Sequence, residues 1–320
     1  MLAAQIRRLG RSIGVGNVVL RLKTLQDIGV LPLIKTCRAK KTLLPRILRA
    51  APIPVGGDQL ELKMLLHKAR FLEGLWSLYS FLRHANKKLQ LTVHSDGSLD
   101  ADCVSALKKL FPGARVIHRH EADALVGRLL ARKQLNRCNE LRDRVILSLK
   151  LLDFLAIGET PNFISLDSDI LTYQEPSELL NPPIMADGRT LHLYSADNNE
   201  LSYALPREVM EKRLRHPIAS KLNSGLMNIQ NHELSLDMVE DYLERSRMLT
   251  DPQANLYYTD QTIWAALLQY PGARPLSPNA YTICGGPHDS VTAHYCGGGY
   301  WATRFYREGL PHLAAKFALL

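Results

Sequence analysis

The run NFISLDSDILTY, residues 162–173, decides the fold. Phe163, Ile164 and Leu166 precede a pair of acids, and Ile170 and Leu171 follow them, which is the apolar pattern of a buried strand. On a strand, side chains two residues apart point the same way, so Asp167 and Asp169 are expected on one side of its end, with Ser168 between them. Two adjacent carboxylates repel each other unless a cation or a proton lies between them. Mn²⁺ and Mg²⁺ are hard cations that take oxygen ligands and often share one or two carboxylates with a substrate's phosphates. The pattern therefore points to a metal–diphosphate site. A bare Asp-x-Asp is more often a strand end with solvated acids, so the surrounding sequence has to decide between the two.

Upstream, short apolar runs alternate with helical ones. LELKMLL (residues 60–66) reads as a strand leading into His67 and Lys68, and FLEGLWSLYSFLRHA (71–85) as a helix. LQLTVHSDG (89–97) reads as a strand ending at His94 and Asp96. Ser98 or Asp100 is placed to cap the next helix, and ARVIHRH (114–120) is a third strand. RVIHRHEADA (115–124) has poor spacing for a zinc site and reads as a strand end followed by a helix cap. Residues 121–157 form a long helical stretch with a break expected near Cys138–Asn139. Downstream, TLHLYSADN (190–198) and SGLMNI (224–229) read as strands, the second short and buried. SLDMVEDYLERSRML (235–249) and YTDQTIWAALLQ (258–269) read as helices. The alternation predicts an α/β fold with a mixed, mostly parallel central sheet flanked by helices. In such sheets ligands gather at the carboxyl ends of strands, where His67, Lys68, His94, Asp96 and the Asp-Ser-Asp run all fall. Residues 1–55 read as a basic, partly helical lead-in closed by a turn-rich APIPVGG, and residues 56–320 as one domain.

Composition narrows the class. The chain has 320 residues, 46% hydrophobic and 22% charged, enough for a substantial core and unlike a disordered protein. The net charge of +9 favours anionic partners, and many of the basic residues come early. No aromatic residues interleave with them as in a stacking platform, so nucleic acid is not an expected partner. The five widely spaced cysteines form no CxxC pair and fit reduced thiols in a cytoplasmic location. The amino terminus lacks the apolar core of a signal peptide, and no run approaches a membrane span. Residues 2–22 fit a basic amphipathic helix in peripheral contact with a membrane, with Gly10, Gly14 and Gly16 against it.

Four motifs in order give the acids their context. LDSDI contains Asp167 and Asp169; NSGLM runs from Asn223 to Met227; Asp260-Gln261 opens a helix in YTDQTIW; HYCG runs from His294 to Gly297. With Lys150-Leu151 upstream, this order resembles the GT-A glycosyltransferases of family 8, which includes glycogenin and the lipopolysaccharide galactosyl- and glucosyltransferases. The resemblance spans about residues 60–307. The first strand departs from it, ending in His67-Lys68 where the family has an acidic turn. Past HYCG the expected lysine is missing and Arg304 follows, whose fork also suits phosphate.

The resemblance implies a metal-dependent transfer of a hexose from a nucleotide sugar, UDP-linked, to a glycan, lipid or small-molecule acceptor, with retention. It implies Mn²⁺ (or Mg²⁺) held by Asp167, Asp169 and His294. Lys150 would contact the donor, and Asn223, Ser224 and Gly225 the sugar. Asp260 and Gln261 would lie under the sugar ring, with Asp260 in sugar binding or ion-pair stabilisation. Gly297 and Arg304 would face the diphosphate, and His94 and Asp96 the nucleotide. Each residue also has a plain reading: a hydrogen-bonded core histidine for His294, a solvated helix lysine for Lys150, a helix cap for Asp260. Two other classes stay open, a catalytically silent protein that keeps the fold and an Asp-x-Asp phosphatase or phosphotransferase. The latter would want its acids on the first strand of the fold, not after three others.

Overall fold

The computed structural model describes residues 29–57, 59–158, 160–198, 202–269, 272–297 and 300–320, so the amphipathic helix expected over residues 2–22 lies outside the described residues. The large sheet has seven strands in the order β3-β2-β1-β4-β7-β6-β8. They are β1 (Leu60–Leu66), β2 (Gln90–Ser95), β3 (Arg115–Ile117), β4 (Asn162–Leu166), β6 (His192–Ala196), β7 (Leu222–Gln230) and β8 (Ala273–Pro275). Strands β1 to β4 run parallel, and β7 lies antiparallel between β4 and β6. A small second sheet of β5 (Ile170–Thr172), β10 (Thr292–His294) and β9 (Tyr281–Ile283) carries the chain on from the acids.

Helices cover both faces of the large sheet, which makes its central strands apolar on each side. Leu62, Met64 and Leu66 of β1 pack on one side with α2 (Phe71–His84) and α3 (Ala101–Leu110). Phe163, Met227 and Ile229 pack on the other with α4 (Arg119–Lys133), α5 (Asn136–Arg144) and α6 (Leu149–Ala156). On that second side the buried Lys63 of β1 donates to the carbonyls of Phe154 (2.8 Å) and Ile157 (2.7 Å). It thereby satisfies acceptors that the end of α6 leaves unpaired. Helices α8 (Arg207–Leu214), α9 (Leu236–Ser246) and α10 (Thr259–Gln269) complete this layer, and α7 (Ser177–Leu180) is a single turn. A first helix, α1 (Val30–Thr42), and a 3₁₀ turn (Leu44–Arg49) lie against the other layer, burying Ala39, Leu44 and Ile47 in its core. The chain ends with α11 (Tyr300–Arg304), a π-helical turn (Phe305–Gly309) and α12 (Leu310–Lys316).

Local signals hold at several ends. Asp100 accepts from Cys103 N at 2.9 Å and is the cap that starts α3. His118 and Glu121 form a reciprocal capping box on α4, the plain reading of that histidine cluster. Three expectations shift. The helical stretch over 121–157 breaks at Gln134, which takes a left-handed φ of 57°, and again at Val145, not at Cys138–Asn139. The reason is long-range: the Glu240 carboxylate of α9 accepts from Arg137 N and Cys138 N, both at 2.8 Å, and so caps α5 from another helix. The short strand expected at residues 224–229 is a fully buried nine-residue strand, because it pairs on both edges. Finally, the acids are not strand residues: β4 stops at Leu166, and Asp167 to Asp169 form a turn into β5.

His94 is a fourth correction. It is 1% exposed, its ring lies tilted by 50° against Phe154 with centroids 4.8 Å apart, and neither ring nitrogen has a hydrogen-bond partner among the described residues. It is a core residue, buried where the strand-end reading expects an accessible side chain. Burial, reinforced by Lys63, holds its pKa well below the ordinary histidine value. Below pH 6.5 the unfolded chain takes up a proton that the native chain refuses, so stability is present above that pH and is lost as pH falls. The limiting slope is ~1.4 kcal/mol per pH unit for one such group. His94→Leu should therefore be no less stable at pH 7 and should flatten the loss between pH 6.5 and 5, measured by urea midpoints across that range.

Candidate active site

The acidic turn hangs between the two sheets. Asp167 N donates to Gly225 O of β7 at 2.8 Å, and Asp169 O accepts from Tyr295 N, just after β10, at 2.9 Å. The turn closes on itself through Ile170 N to Asp167 O at 3.3 Å. Ser77 of α2 adds a bond to Asp167 O at 2.9 Å. With its backbone fixed on every side, the turn brings both carboxyl groups to His294. One ligand atom each from Asp167, Asp169 and His294 lie within 4.8 Å of one another, the only such cluster among the described residues.

His294 is held from both ring nitrogens. Nε2 lies 3.1 Å from Asp169 Oδ1, and Nδ1 lies 3.1 Å from Asn223 Oδ1. Asn223 Oδ1 also accepts from Gly225 N at 3.0 Å, so the amide oxygen faces the ring and Nδ1 carries the proton donated to it. That leaves Nε2 as the nitrogen that faces the acids. Burial disfavours an imidazolium, but Asp169 outweighs it and pushes the pKa up to about 9. Burial likewise raises Asp169, and His294 outweighs it to bring that carboxyl below its usual range. Without metal, the imidazolium supplies positive charge beside Asp169.

Lys150, in the first turn of α6, supplies the other charge. Its Nζ lies 2.6 Å from Asp167 Oδ1, and the side chain is 7% exposed. Burial opposes the ammonium, yet Asp167 and then Asp260 raise its pKa above the ordinary lysine value, so it stays charged. Asp260 opens α10, where its carboxyl is raised by burial and lowered by Lys150, and it accepts from Ser224 Oγ at 3.1 Å. Gln261 spans the gap between segments, accepting from Ser224 N at 3.1 Å and donating to Ser202 O at 2.6 Å.

Thus Lys150, Asp167, Asp169, Asn223, Ser224, Gly225, Asp260, Gln261 and His294 form one connected group, with the half-buried Ser168 in the turn itself. Other expected residues stand apart from it. Lys68 is exposed and pairs with Asp100. His67 is exposed at the end of β1, and Asp96 binds Ser98 in a local turn. Arg304 donates to Glu308 Oε2 at 2.8 Å and to the carbonyl of Cys284. Cys284 in turn donates its N–H to His294 O at 2.8 Å, so Arg304 is one residue removed from the ligand set. Gly297 has a φ of 82°, a conformation glycine takes freely; Gly298 and Gly299 lie outside the described residues.

Three contributors carried no signal of their own. Asp197 accepts from Asn223 Nδ2 at 3.4 Å. Burial and then Asp167, Asp260 and Asp169 raise the pKa of the Tyr257 phenol, although the side chain is largely exposed. The positive charge of Arg70 helps to lower Asp169. Tyr257 is three residues before Asp260, and Arg70 follows the basic end of β1 where an acidic turn was expected; those were the available hints.

No protein-family model and no curated protein sequence matches the chain. Solved structures do. The galactosyltransferase LgtC, determined with donor and acceptor sugar analogues, gives a TM-score of 0.53 at 12% identity, covering 80% of this chain and 95% of LgtC. The bifunctional glycosyltransferase WbbM gives 0.51 at 14% identity, covering 84% of this chain and 51% of WbbM, so the chain spans about half of that protein. At these identities the likeness shows the fold, which is GT-A.

Gly225 is required for close approach. A Cβ there would lie 2.4 Å from His294 Cε1 and 2.9 Å from Asn223 Oδ1. Gly225→Ala should displace the imidazole and weaken divalent-cation binding by ~10–100-fold, the usual cost of disturbing a ligand's support, as read by titration calorimetry. Lys150→Met leaves Asp167 and Asp260 without their buried counter-ion. It should cost ~3–5 kcal/mol of metal-free stability in urea unfolding.

Proposed function

We propose that the chain is a metal-dependent glycosyltransferase of the family 8 type, moving a hexose from a UDP-linked donor to a glycan, lipid or small-molecule acceptor with retention. One observation carries the reading: two carboxylates and an imidazole converge within 4.8 Å on a turn at the carboxyl edge of a GT-A sheet, with a buried lysine behind them. The donor set fits a hard divalent cation, Mn²⁺ or Mg²⁺, since it offers two carboxylate oxygens and one nitrogen, and no thiolate. Asp167, Asp169 and His294 would hold it, and when bound it would neutralise charge on the departing nucleoside diphosphate.

The chain's own residues do the rest. Asn223 fixes the His294 tautomer, and Lys150 offsets the acids so that their charge does not repel the donor. Asp260 stands 3.1 Å from Ser224 Oγ, on the strand that leads to Gly225, and is suited to bind a sugar hydroxyl or stabilise positive charge at the anomeric carbon. Arg304 reaches a diphosphate only if it exchanges Glu308 for phosphate; its Nε and Nη2 now both meet Glu308 Oε2, at 2.8 and 2.7 Å, where a phosphate could take the fork with two oxygens.

The test is thermal unfolding with a panel of nucleotide sugars, with and without Mn²⁺. At a hundredfold excess over Kd the right donor should add ~2.7 kcal/mol, a rise of ~5 °C for a chain of this size, only when Mn²⁺ is present. Asp169→Asn should abolish that rise while keeping a cooperative transition. A donor response that survives this substitution, or no metal-dependent response to any donor, would overturn the assignment.

A further inference from the structure

The net charge of the chain is confined to its first 57 residues. Those hold eleven Lys and Arg against the single Asp27, leaving 29 basic and 30 acidic residues for everything after them. Within the described part of that segment, residues 29–57, there is no acid at all. Helix α1 shows how the charge is displayed. Thr36 and Ala39 face the protein, while Leu31, Ile34, Arg38 and Lys41 are exposed at spacings of three and four, one stripe along the opposite face. The stripe is apolar at its start and basic at its end. Among the described residues, Lys35, Arg38, Lys41 and Arg49 are exposed and enter no ion pair with a carboxylate.

The apolar residues are equally concentrated. Among the described residues eleven large hydrophobic side chains stand exposed, and six of them belong to α1 or its neighbours: Val30, Leu31, Ile34, Leu48, Tyr300 and Trp301. Tyr300 and Trp301 lie on α11, which packs on α1, and are 42% and 48% exposed. Arg307 lies 4.8 Å from the Tyr300 ring and Arg304 5.6 Å from the Trp301 ring. Amphipathic aromatic rings with adjacent cations are the side chains that settle at the level of lipid headgroups. A surface built only to attract anions would not need exposed Leu31, Ile34 and Trp301. A purely apolar contact would not leave four cations unpaired beside it.

We infer that α1 and α11 together form a docking face for an anionic lipid bilayer, with Leu31, Ile34 and Trp301 entering the interface and Lys35, Arg38, Lys41 and Arg49 meeting the headgroups. This face does not depend on the transferase reading. Helix α1 is tied to the neighbouring elements all the same: Lys40 sits 4.3 Å over the Tyr306 ring, and Tyr306 OH accepts from Arg70 at 3.2 Å.

Trp301 provides the readout, because the other two tryptophans, Trp76 and Trp264, are fully buried. The full chain is mixed with phosphatidylcholine vesicles, with or without 30% phosphatidylglycerol, and followed by co-sedimentation and tryptophan emission. Binding is expected only to the anionic vesicles, with a blue shift that disappears in Trp301→Tyr. It should weaken at high salt. Lys35→Glu/Arg38→Glu/Lys41→Glu should lower affinity at least ~100-fold, at about fivefold or more per charge. Leu31→Ser/Ile34→Ser should lower it at ordinary salt while thermal unfolding stays cooperative.

Four results would overturn the inference: no binding to anionic vesicles at low salt, equal binding to both vesicle types, tighter binding to a DNA duplex than to vesicles, or vesicle binding that the α1 variants leave intact and deletion of residues 1–28 removes. Self-association that the same variants abolish, without any vesicle binding, would assign the face to a second copy instead.

Discussion

A lysine buried beside three aspartates sets the terms for this structure. Burial alone lowers the pKa of an ammonium at the position of Lys150, and Asp167 and Asp260 together reverse that. Removing Lys150 leaves the buried Asp260 and the partly exposed Asp167 without their counter-ion, which is far costlier than never having had the group. The arrangement constrains the fold as well as the chemistry. Helix α6 has to present its first turn to the acids, and its far end is fastened by Lys63, whose ammonium binds the carbonyls of Phe154 and Ile157. Two buried lysines thus fix one short helix at both ends, the first through carboxylates and the second through backbone acceptors.

The second constraint is steric. His294 reaches Asp169 only by passing over a strand position that has no side chain, and Asn223, two residues earlier, turns its amide oxygen up to meet the ring. Strand β7 therefore acts as a template, with a gap at Gly225, an acceptor at Asn223 and a hydroxyl at Ser224, on successive residues facing different partners. Its antiparallel run between β4 and β6 brings those three residues level with the acidic turn.

How much of this was legible depends on the range of the interaction. The strands β1, β2 and β4 and the helices α2, α3, α9 and α10 were visible because their apolar periods and capping residues are local. The residues of the candidate site were legible as an ordered series of motifs, although what they do there was less so. Asn223 was expected to touch sugar, yet its amide is occupied by His294 and Gly225 N. His94 reads as a strand-end ligand because its sequence neighbours are polar, and only packing shows that its ring is buried against Phe154. The break in the long helical stretch was misplaced because the α5 cap, Glu240, lies a hundred residues away on another helix. Arg70 and Tyr257 approach the acids from elements whose own sequence carries no mark of that approach.

The position of the acidic turn between two sheets has a consequence for the order of assembly. Lys150 precedes Asp167 and Asp169 by less than two turns of helix and one strand, so their first counter-ion is close at hand as soon as α6 and β4 pair up. His294 sits on β10, near the end of the chain, and joins only when the small sheet closes. Contacts of such sequence separation form late, because the loop entropy between them has to be met first. During synthesis the acids are thus neutralised from within their own segment, and the third ligand is added as the closing contact of the fold.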